Sequence, residues 1–220
     1  MLSYISQGGL GGDVPPFYYS WGLRDAGKKL KTAYPGQVHC YHFDHTQDAA
    51  MVDAIERAFR RADAILCATH SLGANGFLNT ALPECARRKI IIGCAFTFDP
   101  TWNVWAAQIG NEVRRLINYR NTAFFSALGK RNVYAKSGYD GYLVNIPLNV
   151  LHQNLDDDLG AHAMIIREAG WLLNPQAGSA TLPTSSANPP RPTPIMSVQQ
   201  QAEIAGQRDL STEFKPTNDV

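Results

Sequence analysis

Short apolar stretches alternate with longer segments whose apolar residues recur every three or four positions over the first 173 residues. The short stretches are typical of strands covered on both faces, and the longer segments are typical of amphipathic helices. The predicted strands are residues 1–7, 37–43, 64–69, 89–98, 131–136 and 142–151. The predicted helices are residues 19–33, 47–61, 72–87, 103–119 and 157–173. Strands that alternate with helices predict a three-layer α/β/α sandwich with a mostly parallel sheet.

Two of the predicted helices carry clear apolar stripes, which we expect to face the core. The stripe of helix 19–33 consists of Trp21, Leu23, Ala26 and Leu30. The stripe around helix 103–119 consists of Trp102, Trp105, Ile109, Val113 and Leu116.

The last 47 residues differ in composition from the rest of the chain. Seven of the 13 prolines lie after Leu173, but of the 22 aromatic residues only Phe214 does. Such a Pro- and Ser-rich segment predicts an extended, flexible tail with no core of its own. We therefore expect a folded domain over 1–173 and a tail over 174–220.

Charge and hydropathy exclude several classes of partner. The net charge is +1 and no basic run exceeds two residues, so nucleic acid is not an expected ligand. No apolar run approaches 18 residues, so we expect no transmembrane segment. The first residues lack the basic start of a signal peptide, and the four cysteines have no CxxC spacing. Reduced thiols and a cytoplasmic location are therefore expected.

The strongest chemical signal is Thr69-His70-Ser71-Leu72-Gly73, which lies where a buried strand meets a helix. A tight turn at this point lifts a serine hydroxyl above the carboxyl edge of the sheet and needs small flanking residues. Gly73 meets that need, whereas Thr69 occupies a position where glycine is usual. The alternative for Ser71 is an ordinary N-cap serine.

His-Ser-Leu-Gly at a strand–helix junction resembles the nucleophile elbow of the α/β-hydrolase family, in particular its lipase- and esterase-like members. The resemblance extends over residues 1 to about 173 in architecture, and Thr69 departs from the Gly-x-Ser-x-Gly pattern. It implies an α/β-hydrolase-like fold and hydrolysis of an ester with Ser71 as nucleophile. Few residues are inserted between the predicted strands, so we expect no large cap domain.

The family order of nucleophile, acid and histidine implies partners for Ser71. Asp99 follows the next predicted strand, and Asp140 is a competing acid that also fits a turn with the glycine after it. We prefer Asp99. His152 lies between the last predicted strand and the last helix, where the family places its general base. His162, inside that helix, and His70, beside the nucleophile, are expected to pack.

The resemblance also implies backbone donors for an oxyanion hole. One is Leu72, and the other is Gly9 or Leu10 in the glycine-rich loop after the first strand. This loop matches neither a dinucleotide fingerprint nor a P-loop. Trp102 is a candidate to line an acyl pocket, although its helical spacing also suits the core.

A second cluster of potential ligands occurs near the end of the second predicted strand. It consists of His39, Cys40, His42, Asp44 and His45. Strand alternation places His39 and His45 on one face and the others on the opposite face, and the spacing matches no familiar metal site. We expect neither a metal nor a cofactor.

The sequence therefore predicts a serine hydrolase that cleaves a carboxylic ester through an acyl-enzyme, with a small-molecule or lipid-like ester as substrate. The alternative is a non-catalytic binding or structural protein on a hydrolase scaffold, whose tail contacts another protein subunit.

Overall fold

The structure is a computed structural model, and it describes residues 1–9, 20–101, 107–123 and 131–175. The strands are β1 (Leu2–Gln7), β2 (Val38–Phe43), β3 (Ala64–His70), β4 (Cys94–Phe98), β5 (Gln108–Ile109), β6 (Arg115–Asn121), β7 (Tyr134–Ala135) and β8 (Tyr142–Leu148). The helices are α1 (Trp21–Ala33), α2 (Asp48–Arg60), α3 (Leu72–Gly76), α4 (Leu82–Arg88) and α5 (Leu159–Leu173). A π-helical turn, Phe77–Ala81, joins α3 to α4, and His152–Asn154 form a 3₁₀ turn.

Six strands form one parallel sheet in the order β2-β1-β3-β4-β6-β8. The chain order reverses between β1 and β3, because β2 lies on one side of β1 and the later strands of this sheet lie on the other, while β5 and β7 pair separately. In open α/β sheets, ligands bind at the carboxyl ends of the strands at such a reversal. The predicted three-layer sandwich with a parallel sheet is confirmed.

Each face of the sheet buries its own apolar layer. One layer packs α2, the π-helical turn and α4 against the sheet, with Met51, Ile55 and Phe77 fully buried. The other layer packs α1 and α5 against it, with Leu30 and Ile165 fully buried. None of the helices among the described residues is long and apolar enough to cross a membrane.

The predicted helix 103–119 is wrong. Gln108–Ile109 and Arg115–Asn121 are strands, and Val113 forms a parallel bridge with Ile92. Ile109, Val113 and Leu116 are buried as expected, but their spacing arises from two short strands and the turn between them.

Trp21 also departs from prediction. Its side chain is 50% exposed, and the guanidinium of Arg24 lies 5.6 Å from its ring centroid, whereas Leu23, Ala26 and Leu30 of the same stripe are buried. Trp21 is two positions before Leu23 in α1, which is about 200° around the helix, so its side chain faces away from the buried side. Trp102, Trp105 and the tail beyond residue 175 lie outside the described residues.

Candidate active site

Ser71 occupies the single residue between the end of β3 and the start of α3. Its backbone has φ 57° and ψ −122°, a combination that non-glycine residues rarely adopt. Its amide N–H donates to the carbonyl of Phe98 at 2.9 Å, which anchors the turn to the end of β4. Its hydroxyl makes no capping hydrogen bond to the helix. The strained turn therefore leaves Oγ available at the carboxyl edge of the sheet.

Close backbone packing explains the glycine after this turn. A Cβ atom on Gly73 would lie 2.5 Å from the carbonyl oxygen of Gln7, so only glycine lets α3 start against the end of β1. Thr69, on the other side of the turn, is fully buried, and its hydroxyl points back at the carbonyl of Phe96 at 3.4 Å. A threonine fits there because its side chain packs into the sheet.

His152 reaches Ser71 from the segment after β8, the last strand of the sheet. It begins the 3₁₀ turn that follows β8, and its side chain is 14% exposed. Its Nε2 lies 2.8 Å from Ser71 Oγ, and its Nδ1 lies 2.7 Å from Asp99 Oδ2. The structure thus brings Ser71, His152 and Asp99 into one hydrogen-bonded chain.

Asp99 is fully buried directly after β4, at a φ of 48°. Its Oδ1 accepts the amide N–H of Asn121 and its Oδ2 accepts the side-chain NH₂ of Asn121, both at 3.1 Å. Burial removes water from the Asp99 carboxylate, and these donors replace the hydrogen bonds that it would make to water. They also fix the oxygen that faces His152.

Asn121 was not found from the sequence, because it lies at the end of a strand that we had predicted as helix and loop. Asn75 lies inside a correctly predicted helix and was missed because its partner, Thr101, is 26 residues away. Its side-chain oxygen accepts the amide N–H of Thr101 at 2.9 Å, and its NH₂ group donates to the Thr101 hydroxyl. Asn75 therefore fastens the loop after Asp99 to the helix after Ser71. A buried asparagine at a strand or helix end is the signal that identifies both residues once the elements are known.

The competing acid, Asp140, lies far from this chain of contacts. It is exposed and lies just before β8, separated from it by Gly141, whereas Asp99 directly follows β4. Because the strands are parallel, Asp140 is at the amino edge of the sheet, opposite to Ser71.

The other two histidines near the predicted site, His162 and His70, are buried. His162 packs in α5, with its ring nitrogens near Lys29 Nζ at 2.7 Å and the carbonyl of Asp156 at 2.6 Å. His70 lies behind His152, with ring centroids 4.9 Å apart.

Two of the candidate oxyanion donors lie among the described residues. Leu72 provides the first N–H of α3, and within the described part of the chain this group donates no hydrogen bond. Gly9 follows β1 with φ 71° and is buried. It lies at the same edge, since a Cβ on Gly73 would also come within 2.8 Å of Gly8 N. Leu10 and Trp102 lie outside the described residues.

The histidine-rich strand end has its own explanation. His42 Nδ1 is 2.5 Å from the Ser6 hydroxyl, and burial of the ring lowers the pKa of His42 to about 4. Asp44 Oδ1 accepts the amide N–H of Thr46 at 2.8 Å. Across the described ranges, no group of three His, Cys, Asp or Glu side chains could hold a metal ion.

The sheet order and the strained strand-to-helix turn at Ser71 together define an α/β-hydrolase-like fold. At the level of sequence, no protein-family model and no curated protein matches the chain.

Solved structures with a similar fold were found. A cutinase-like protein from Cryptococcus sp. is 17% identical, with 78% of this chain and 94% of that protein covered and a TM-score of 0.44. The RedJ thioesterase of the prodiginine biosynthetic pathway in Streptomyces coelicolor is 10% identical, with 76% and 90% covered and a TM-score of 0.46. An acetyl xylan esterase, solved as an iodinated complex, is 11% identical, with 78% and 98% covered and a TM-score of 0.39.

Proposed function

We propose that this protein is a serine hydrolase that cleaves carboxylic esters through an acyl-enzyme intermediate. The observation that carries the proposal is the hydrogen-bonded chain from Ser71 Oγ through His152 to Asp99, with distances of 2.8 and 2.7 Å. A nucleophile, a base and a group that orients the base, all within hydrogen-bond reach, are the requirements of nucleophilic catalysis by serine.

The partners of His152 determine where its proton lies. The Asp99 carboxylate already accepts two N–H groups from Asn121 and can only accept from the ring, so His152 Nδ1 donates to it. In a neutral imidazole, Nε2 is then the acceptor, and it faces the Ser71 hydroxyl. This tautomer is the one that can remove the proton as Ser71 attacks an acyl carbon.

The acylation step follows from this arrangement. Ser71 Oγ forms a bond to the acyl carbon while its proton passes to His152 Nε2, and Asp99 stabilises the resulting imidazolium. The carbonyl oxygen gains negative charge, for which the N–H groups of Leu72 and Gly9 are the proposed donors. His152 then gives its proton to the departing alkoxide, which leaves as the alcohol.

Deacylation repeats the same chemistry with water as the nucleophile. His152 removes a proton from water as the water oxygen attacks the acyl carbon of the Ser71 ester, and the proton returns to Ser71 as the acid leaves. The sequence resemblance to esterases and lipases favours a small-molecule or lipid-like ester as substrate. None of these steps requires a cofactor.

A panel of p-nitrophenyl esters of increasing acyl length tests the proposal. We expect hydrolysis by the wild-type protein, and a loss of about 10⁴-fold or more in kcat for Ser71→Ala. The acyl length with the highest kcat/KM would define the substrate class. Equal background rates for the wild type and Ser71→Ala across the panel would contradict the proposal and favour a non-catalytic role.

A further inference from the structure

The proposed mechanism does not use His70, although this histidine directly precedes the nucleophile. Its side chain is 6% exposed. Its Nε2 lies 2.9 Å from the backbone carbonyl oxygen of His152, and its Nδ1 lies 2.8 Å from the Ser20 hydroxyl. One ring therefore links the strand that carries the nucleophile to the backbone of the proposed base.

The carbonyl of His152 determines the tautomer of His70. A carbonyl oxygen can only accept, so His70 Nε2 carries the proton and donates it. The neutral ring then accepts the Ser20 hydroxyl proton at Nδ1. Burial lowers the pKa of His70, which agrees with a neutral ring at pH 7. A neutral ring also avoids a second positive charge 4.9 Å from His152 when that base is protonated.

The carbonyl that His70 holds has little other support. Within the described part of the chain, its other donor is the amide N–H of Leu155, at a long 3.5 Å. The 3₁₀ turn that bears His152 is short, and such turns have poor internal hydrogen-bond geometry. The bond from His70 is therefore the strongest constraint on the backbone of His152 that these contacts provide.

The far side of the His70 ring is fixed as well. The hydroxyl of Ser20 comes from the residue before α1, and Asp156 Oδ1 lies 3.5 Å from Nδ1. The other oxygen of Asp156 accepts the amide N–H of Leu23 at 3.3 Å. Ser20 thus holds the far side of the ring, Asp156 joins the segment after His152 to the start of α1, and the ring cannot turn without breaking its bond to Ser20.

We infer that His70 is a positioning residue, which holds the backbone of His152 through its Nε2–H so that the base remains within reach of both Ser71 and Asp99. The inference rests on the proposed function, because it gives His152 the role of base. A displacement of a reacting group by about 1 Å can reduce a rate by about 10²-fold, so this indirect contact is expected to affect catalysis.

The test compares two substitutions of His70 with a control. His70→Gln places an amide N–H near the position of Nε2, whereas His70→Phe keeps a ring of similar shape without a donor. His42→Phe is the control, because His42 is a half-buried histidine that bonds to Ser6 and not to the 152–156 segment. We expect kcat to fall about 10- to 100-fold in His70→Phe with KM changed less than about 2-fold, since positioning affects the chemical step.

Rescue by the donor distinguishes positioning from general packing. His70→Gln should retain kcat within about 5-fold of the wild type, and His42→Phe should match the wild type. Hydrogen exchange of the segment 150–158 should be faster in His70→Phe and unchanged in His70→Gln. Equal kcat for His70→Phe and the wild type would overturn the inference, as would equal losses in His70→Gln and His70→Phe.

The hydrogen-exchange measurement keeps this test separate from the proposed function. If the wild-type protein hydrolyses no ester, the proposed function fails, and the role of His70 in catalysis fails with it. If the wild type is active and Ser71→Ala is not, but exchange in 150–158 is the same in His70→Phe, the proposed function stands and the positioning role alone is refuted.

Discussion

The two edges of the sheet both contain non-glycine residues with positive φ, but these residues do different things. At the amino edge, Ala62 and Lys89 (both φ 57°) follow helices α2 and α4. Each is exposed, and the N–H groups around it bond back to the helix, from Asp63 to Ala58 and from Ile90 to Cys85. This is the usual left-handed ending of a helix, where glycine is the preferred residue.

At the carboxyl edge, Ser71 and Asp99 have positive φ at the ends of strands instead of helices. The ψ of Ser71, −122°, lies far from the left-handed helical region, so this turn is no helix ending. Both side chains bond to His152. Positive φ at the amino edge therefore only ends helices, whereas positive φ at the carboxyl edge orients the side chains of the proposed site toward His152.

The largest effect is expected from Asp99→Asn. An amide in place of the carboxylate would favour the wrong tautomer of His152, and kcat should fall by about 10⁴-fold. Asp140→Asn, at the amino edge, is the matched control and should leave kcat unchanged. Kinetics with the best p-nitrophenyl ester checks both. A large loss in Asp140→Asn, with Asp99→Asn fully active, would contradict our choice of acid.

The next effect concerns the backbone contact beneath Ser71. In Gly73→Ala the new methyl group would meet the carbonyl of Gln7, and we expect the free energy of unfolding to fall by about 1–3 kcal/mol. Gly160→Ala is the control, since a Cβ there would come only near the Asp158 side chain, at 3.1 Å. Urea unfolding measures both variants. Unchanged stability in Gly73→Ala would show that the strand and helix do not touch as described.

A smaller effect concerns pH and His42, which lies near the end of β2 but outside the proposed site. The folded state lowers the pKa of His42 from its usual 6.5 to about 4, so the unfolded state binds more protons between these values. Stability should therefore fall as pH falls from about 6.5 to 4, by on the order of 1 kcal/mol from this half-buried ring.

His42→Gln removes this titration while keeping a side chain that can bond to Ser6. Urea unfolding of the wild type and of His42→Gln at pH 7, 5.5 and 4 measures the difference. The variant lacks the titrating ring of His42. The free energy of unfolding should therefore fall more in the wild type than in the variant as pH falls. Parallel stability curves would contradict the shifted pKa.

The smallest effect returns to the amino edge. Lys89→Gly should raise the free energy of unfolding by about 0.5 kcal/mol, because relief of the left-handed strain exceeds the added freedom of the unfolded chain. Activity should not change, since this residue is exposed and distant from Ser71. A fall in both stability and kcat would show that the two edges are not separable in this way.

Much of the carboxyl edge could be predicted because its signals are local. The buried strand, the serine and the glycine that follow one another around Ser71 lie within five residues, and the contacts of Gly73 show why the spacing is required. The order of acid and histidine came from the family resemblance. The structure places Asp99 and His152 in contact with each other.

Long-range features could not be predicted in the same way. The segment around Val113 and Leu116 has helical spacing, yet its neighbours in the sheet turn it into a bridge and a strand, because tertiary pairing overrides local pattern. For the same reason Asn121 was missed. The contacts of His70 with Ser20, 50 residues earlier, and with the carbonyl of His152, 82 residues later, leave no local signal.

The central claim, that Ser71 is an activated nucleophile, is tested most directly by covalent labelling. The wild-type protein, Ser71→Ala and Asp99→Asn are treated with a fluorophosphonate probe, and the modified peptide is identified by mass spectrometry. We expect rapid labelling of the wild type at Ser71, much slower labelling of Asp99→Asn and none at this position in Ser71→Ala. Equally weak labelling of the wild type and Ser71→Ala, or attachment to a different residue, would contradict this claim.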